Sequence, residues 1–140
     1  VSATIAQVKA AIATVLAGVS GIQRIYQTAP VSLPPSDLPA VVIYTGVGRY
    51  EERGYNLSGE TRQYLVRLYV ASLQQGAAGE VETTTQGFIP LVRAVFPPGD
   101  RLGRLAGLLE ARLTGDQGVS VLVLGGSSYL GVEFALEVVQ

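Results

Sequence analysis

Arg62-Gln63-Tyr64-Leu65-Val66-Arg67-Leu68-Tyr69-Val70-Ala71 decides the fold. Tyr64, Val66, Leu68 and Val70 recur at period two, so they share one face of a strand, and that face is buried. Gln63 and Arg67 share the opposite face with Leu65 and Tyr69. That mixture predicts a face half covered or packed on a neighbour, and a strand in the middle of its sheet.

Two further stretches fit beside it. Ala40-Val41-Val42-Ile43-Tyr44-Thr45 is a continuous apolar run, as in a strand covered on both faces, and Gly46 is expected to close it. From Tyr129 to Val139, Leu130, Val132, Phe134, Leu136 and Val138 alternate with Gly131, Glu133, Ala135 and Glu137. Antiparallel pairing of this strand with Arg62 to Ala71 places Arg67 near Glu133 or Glu137, a cross-strand charge match. Gly118 to Leu124 supplies the other arm of a closing hairpin, turned at Gly125-Gly126-Ser127-Ser128.

Helical spacing appears in two places. Ile5, Val8, Ile12, Val15 and Leu16 form one stripe behind a cap at Ser2, and Gly18 ends that helix. Val81, Thr85, Phe88, Val92, Val95 and Phe96 form another, where three threonines and Pro90 predict a bend near Gly87 or two shorter pieces. Asp100 is expected to cap a further short helix with Leu102, Leu105, Leu108 and Leu109 on one face. Ile22 to Tyr26 is a short strand candidate. Pro30, Pro34, Pro35 and Pro39 make the intervening stretch an extended connector without helix or inner strand.

Val47 to Gly59 has no sustained period and carries Arg49, Glu51, Glu52 and Arg53. A loop beyond about 12 residues is usually functional or disordered, so these four residues are the candidate contacts with a neighbouring subunit or partner. The elements together predict one α+β domain over residues 1–140, with a single antiparallel or mixed β-sheet and its helices packed on one face.

Composition narrows the chemistry. At 140 residues and 48% hydrophobic, the chain is long enough for one ordinary core. A net charge of −1 leaves no basic footprint for phosphate, so direct nucleic-acid binding is not expected. Low charge with positive mean hydropathy favours a chain that buries part of its surface against other subunits. Neither Cys nor His is present, which removes disulfides, thiolate ligands, the imidazole base and the commonest zinc ligand. Glu133 and Glu137 interrupt the most apolar region, no leader is evident, and a soluble, cytoplasm-made protein is expected.

Each motif resembling a site has a plainer reading. Thr45-Gly46-Val47-Gly48-Arg49-Tyr50-Glu51 starts like a dinucleotide turn, but Glu51 replaces the third glycine and no helical pattern follows. Gly125-Gly126-Ser127-Ser128-Tyr129 is a hairpin turn rather than a nucleophile elbow, since no His is available as base. The pairs Glu133/Glu137 and Glu80/Glu82 read as solvated or salt-bridged surface. Arg101, Arg104 and Arg112 read as an exposed helix face. No catalytic residue, cofactor site or metal site is predicted.

The order of elements carries a resemblance. An N-terminal helix leads through a Pro-rich connector into Leu38-Pro39-Ala40-Val41-Val42-Ile43. A long strand and a central helix follow, then a hairpin ending Tyr129-Leu130-Gly131-Val132-Glu133-Phe134-Ala135-Leu136-Glu137-Val138. This layout resembles the lambda-type tail terminator, or tail completion, proteins of long-tailed bacteriophages, over nearly the whole chain and without a diagnostic short motif. The long Val47 to Gly59 stretch and Pro90 depart from a compact member. The resemblance implies a non-enzymatic virion protein in the neck region of the tail. It would form a homo-oligomeric ring, usually a hexamer, on the tail tube protein, stop tube polymerisation and meet the head–tail connector proteins. A head–tail adaptor or other neck protein is the alternative in the same setting, and a small ligand-binding or enzymatic α+β domain is the alternative of another class.

Overall fold

A computed structural model describes residues 3–52, 58–73, 78–97 and 99–140. The elements are α1 (Ile5–Leu16), β1 (Arg24–Tyr26), β2 (Ala40–Glu52), β3 (Ser58–Ser72), α2 (Ala78–Ala94), α3 (Arg101–Arg104), β4 (Glu110–Leu124) and β5 (Ser127–Val139). The strands form one mixed sheet in the order β1-β2-β3-β5-β4, with β3 in the middle. Only β1 against β2 is parallel. This is the expected α+β arrangement, with the helices packed against the sheet.

Alternation along β3 and β5 sorts the side chains into two cores. Tyr64, Val66, Leu68 and Val70 join Val132, Phe134, Leu136 and Val138 under Val8, Ile12 and Leu16 of α1 and Phe88 and Val92 of α2. Val66 and Phe134 are register partners, and both are buried. On the other face Ala40, Val42, Tyr69, Leu122, Leu124 and Tyr129 pack with Leu33 of the connector. Layers on both sides explain why the start of β2, Ala40 to Ile43, is wholly buried.

The connector is held by specific contacts. The Tyr26 hydroxyl donates to Asp37 Oδ2 at 2.5 Å, Tyr129 donates to the Leu33 carbonyl at 3.4 Å, and the Tyr69 and Tyr129 rings meet edge to face at 5.5 Å. At the tight turn between β4 and β5, Gly125 and Gly126 both have positive φ, and a side chain at Gly125 would collide with the Val31 carbonyl. The connector therefore lies directly on the hairpin turn.

Several local expectations change. The cap of α1 is Thr4, whose hydroxyl accepts from the Gln7 amide while Gln7 Oε1 accepts from the Thr4 amide; Ser2 lies outside the described residues. The strand expected over Ile22–Tyr26 shortens to Arg24–Tyr26. The connector includes a 3₁₀ turn, Pro35–Asp37, because a proline at the first helical position has no intrahelical donor to lose. α2 is one continuous helix through Pro90. Pro90 and Gln86 are both exposed, so water can take the carbonyl that the proline leaves without its helical donor.

The helix expected after Asp100 is only the four-residue α3, in which Arg101, Leu102, Gly103 and Arg104 all have positive φ. Gly103 and Gly107 weaken the pattern, and a left-handed turn cannot propagate in L-residues. Asp100 still caps it, accepting from the Gly103 amide at 3.1 Å. β4 begins at Glu110, so Arg112 stands on a strand, apart from Arg101 and Arg104.

The largest difference concerns Val47 to Gly59. Gly46 does not close β2. The strand runs on to Glu52 and pairs with β3 back to Ser58, so both ends of the expected loop are a hairpin arm. Residues 53–57 lie outside the described residues. The arm was hidden in the sequence because neither of its faces meets a core. Without burial there is no selection for alternation, and pairing rests on the backbone.

Candidate functional site

The arm is built on an irregularity in β2. Between Thr45 and Gly48 the register with β3 shifts by one residue, a β-bulge. A side chain at Gly46 would stand 2.6 Å from the Gln63 carbonyl oxygen, and one at Gly48 would stand 2.6 Å from Arg62 Nη2. Gly46 is therefore required by close backbone approach, while at Gly48 a side chain would have to push the Arg62 guanidinium aside. The pair that superficially matched a dinucleotide turn serves a strand kink.

Arg62 occupies the space that Gly48 leaves open. Its Nε donates to Glu60 Oε1 at 2.5 Å, Nη2 to the Tyr50 hydroxyl at 3.0 Å and Nη1 to the Gly46 carbonyl at 3.2 Å. The bond to Glu60 comes first in holding this guanidinium more firmly protonated than an ordinary arginine. One side chain thus spans both strands of the arm and its bulge. Sequence reading missed Arg62 as anything beyond a strand terminus; its position two residues from Glu60 and opposite a Gly-x-Gly was the available signal.

The four residues predicted as contacts separate. Arg49 lies on the face away from the helices, with Nη2 3.8 Å from Glu137 Oε2 and its side chain 74% exposed. Glu51 and Glu52 are exposed at the far end of β2, and Arg53 lies outside the described residues. The arm also presents large apolar groups to solvent: Val47 is 71% and Tyr50 73% exposed.

Across the sheet the charges continue. Glu137 Oε1 is 3.8 Å from Arg112 Nη2, and Arg112 Nε is 3.6 Å from Glu110 Oε1. Nearer the middle, Arg67 Nε donates to Glu133 Oε2 at 2.5 Å, and its guanidinium lies 5.0 Å from the centre of the Tyr44 ring. Glu133 and Glu137 are therefore ion-pair partners, each facing arginine, and their arrangement is not that of an acid and a base converging on a cleft. A cleft of about 260 Å³ beside the arm is lined by Val47, Arg49, Thr61, Gln63 and Glu137. A larger one of about 560 Å³, between the end of α2 and the start of β4, is lined by Arg93, Phe96, Glu110 and Arg112 among others.

Among the described residues no three acidic side chains gather as a metal site, and no helix is long and apolar enough to cross a membrane. Comparison with models of known protein families gives no match, and no curated protein matches the sequence.

Proposed function

We propose that the chain is a structural, non-enzymatic virion protein of the tail terminator kind. In this reading it forms a ring, hexameric by analogy, on the head-proximal end of a phage tail tube, stops tube growth and offers a surface to the head–tail connector. The observation that carries the reading is the projecting β2–β3 arm. It presents Val47 and Tyr50 to solvent beside Arg49, yet is internally braced by Arg62. A braced arm with an apolar and charged surface suits a fixed contact with another protein better than it suits ligand turnover. Low overall charge supports assembly in the same direction.

Electron microscopy of the purified protein, alone and mixed with tail tubes, tests the proposal. Closed rings seated at one end of the tubes are expected. A chain that stays monomeric with tubes present overturns it, and binding to portal complexes but not tubes makes it a head–tail adaptor instead.

A further inference from the structure

We propose that copies of this chain join edge to edge, with the outer edge of β4 in one copy pairing antiparallel with the outer edge of the β2 arm in the next. The inference rests on the ring reading above and names the contact that closes the ring.

Strand direction comes first. β2 is antiparallel to β3, β3 to β5, and β5 to β4, so β2 and β4 run in opposite senses at opposite sides of the sheet. A second copy placed beside the first in the same orientation therefore continues the sheet with an antiparallel join. Such a head-to-tail contact uses two different patches, and it closes into a ring when each step is a rotation. Both edges are open: β1 covers β2 only over Ala40–Val42, and among the described residues no strand covers the outside of β4. Long open edges are normally blunted or paired.

The register makes the two edges complementary. Arg49 is opposite Thr61, Thr61 opposite Val139, and Val139 opposite Glu110, so Arg49 and Glu110 end the same row of the sheet. They lie on the same face, since each reaches the Glu137 and Arg112 group. In a level join Arg49 of one copy meets Glu110 of the next. Among the described residues, each is held within its own chain only by a long ion pair, at 3.8 and 3.6 Å. One residue further along each edge stand Tyr50 and Leu109, 73% and 61% exposed, Tyr50 within β2 and Leu109 in the bend that leads into β4. The same level join brings Tyr50 onto Leu109. A charge pair and an apolar pair thus agree on one register. Sliding β4 by two residues would instead set Arg49 against Arg112, and like charges directly opposite are unfavourable.

The chain has no cysteine, so a designed pair reports without background. In the variant Arg49→Cys/Glu110→Cys the two thiols of one chain are separated by β3 and β5. Three inter-strand steps are about 14 Å, too far for a disulfide within the chain. Mild oxidation of assembled protein should give a reducible ladder of linked chains up to the ring number. Rings that form by sedimentation and microscopy without this ladder overturn the edge contact and leave the ring reading standing. A chain monomeric even with tail tubes overturns both. Independently, Arg49→Glu and Glu110→Arg should each weaken assembly several-fold, and the two together should restore it. Two weak single variants with no recovery in the double overturn the pairing.

Discussion

Arg67 on β3 and Glu133 on β5 stand directly opposite each other in the sheet, and the guanidinium Nε lies 2.5 Å from the carboxylate while resting on the Tyr44 ring. Their side chains are 32% and 18% exposed, so solvent screens the pair only in part. Arg67→Ala and Glu133→Gln are each expected to cost about 1.5 kcal/mol, the low end for a hydrogen bond to a charged group. A double-mutant cycle by urea unfolding checks this. A coupling energy near zero would show that the two groups contribute independently.

Phe134 is fully buried opposite Val66 under the two long helices. Phe134→Ala should lower unfolding stability by about 3–5 kcal/mol, the sum of lost transfer energy and a cavity that rigid strands cannot close. Equilibrium denaturation measures it directly, and a loss below about 1 kcal/mol would place Phe134 outside the core.

Tyr64 and Tyr69 predict an alkaline limit. Burial pushes both phenols above their ordinary value, and among the described residues the Tyr64 hydroxyl has no hydrogen-bond partner. Because the folded-state value is raised, the stabilisation from holding the neutral phenol is complete below the unfolded value near 10 and is lost as pH rises above it. Melting temperature should therefore fall steeply above about pH 10. Tyr64→Phe should be neutral or stabilising, since it removes a buried unpaired hydroxyl. A Tyr64→Phe variant destabilised by more than about 1 kcal/mol would reveal a partner for that group.

Gly48 and Arg62 can be tested as a unit. Gly48→Ala should displace the guanidinium from the arm, and Arg62→Ala should remove the brace, yet neither touches the main core. Both variants are expected to keep most of their global stability while amides of residues 48–52 and 58–62 exchange faster. Hydrogen exchange resolves the arm from the rest of the sheet. Unchanged protection in both variants would mean that the backbone ladder alone holds the arm.

What was legible in the sequence follows burial. β3 and β5 were readable because one face of each is wholly apolar, and a charge match of Arg67 with Glu133 or Glu137 followed from that alternation, which the register resolves to Glu133. The start of β2 was readable because both of its faces are covered. The arm was not, since exposed strands carry no period, and α3 was not, since leucines at helical spacing also suit a turn that drops Leu102 and Leu108 into the core. Of the candidate site, Arg49, Glu51 and Glu52 were singled out by loop length and charge. The alignment of Arg49 with Glu110 across the sheet depends on a bulge that no local pattern announces.

The central position of β3 also sets a timetable. Its two neighbours come from opposite sides of the chain, and its ion pair to β5 closes a separation of 66 residues. Phe134, Leu136 and Val138, which complete the helix-side core, belong to β5, the strand that follows β4 in sequence. A growing chain can shape α1 and the β2–β3 hairpin early, but its sheet lacks both β4 and the strand that carries β4 until β5 has been added. Contacts so distant in sequence form slowly. Chains without β5 therefore cannot offer the outer edge of β4, and any association that uses this edge waits for that strand.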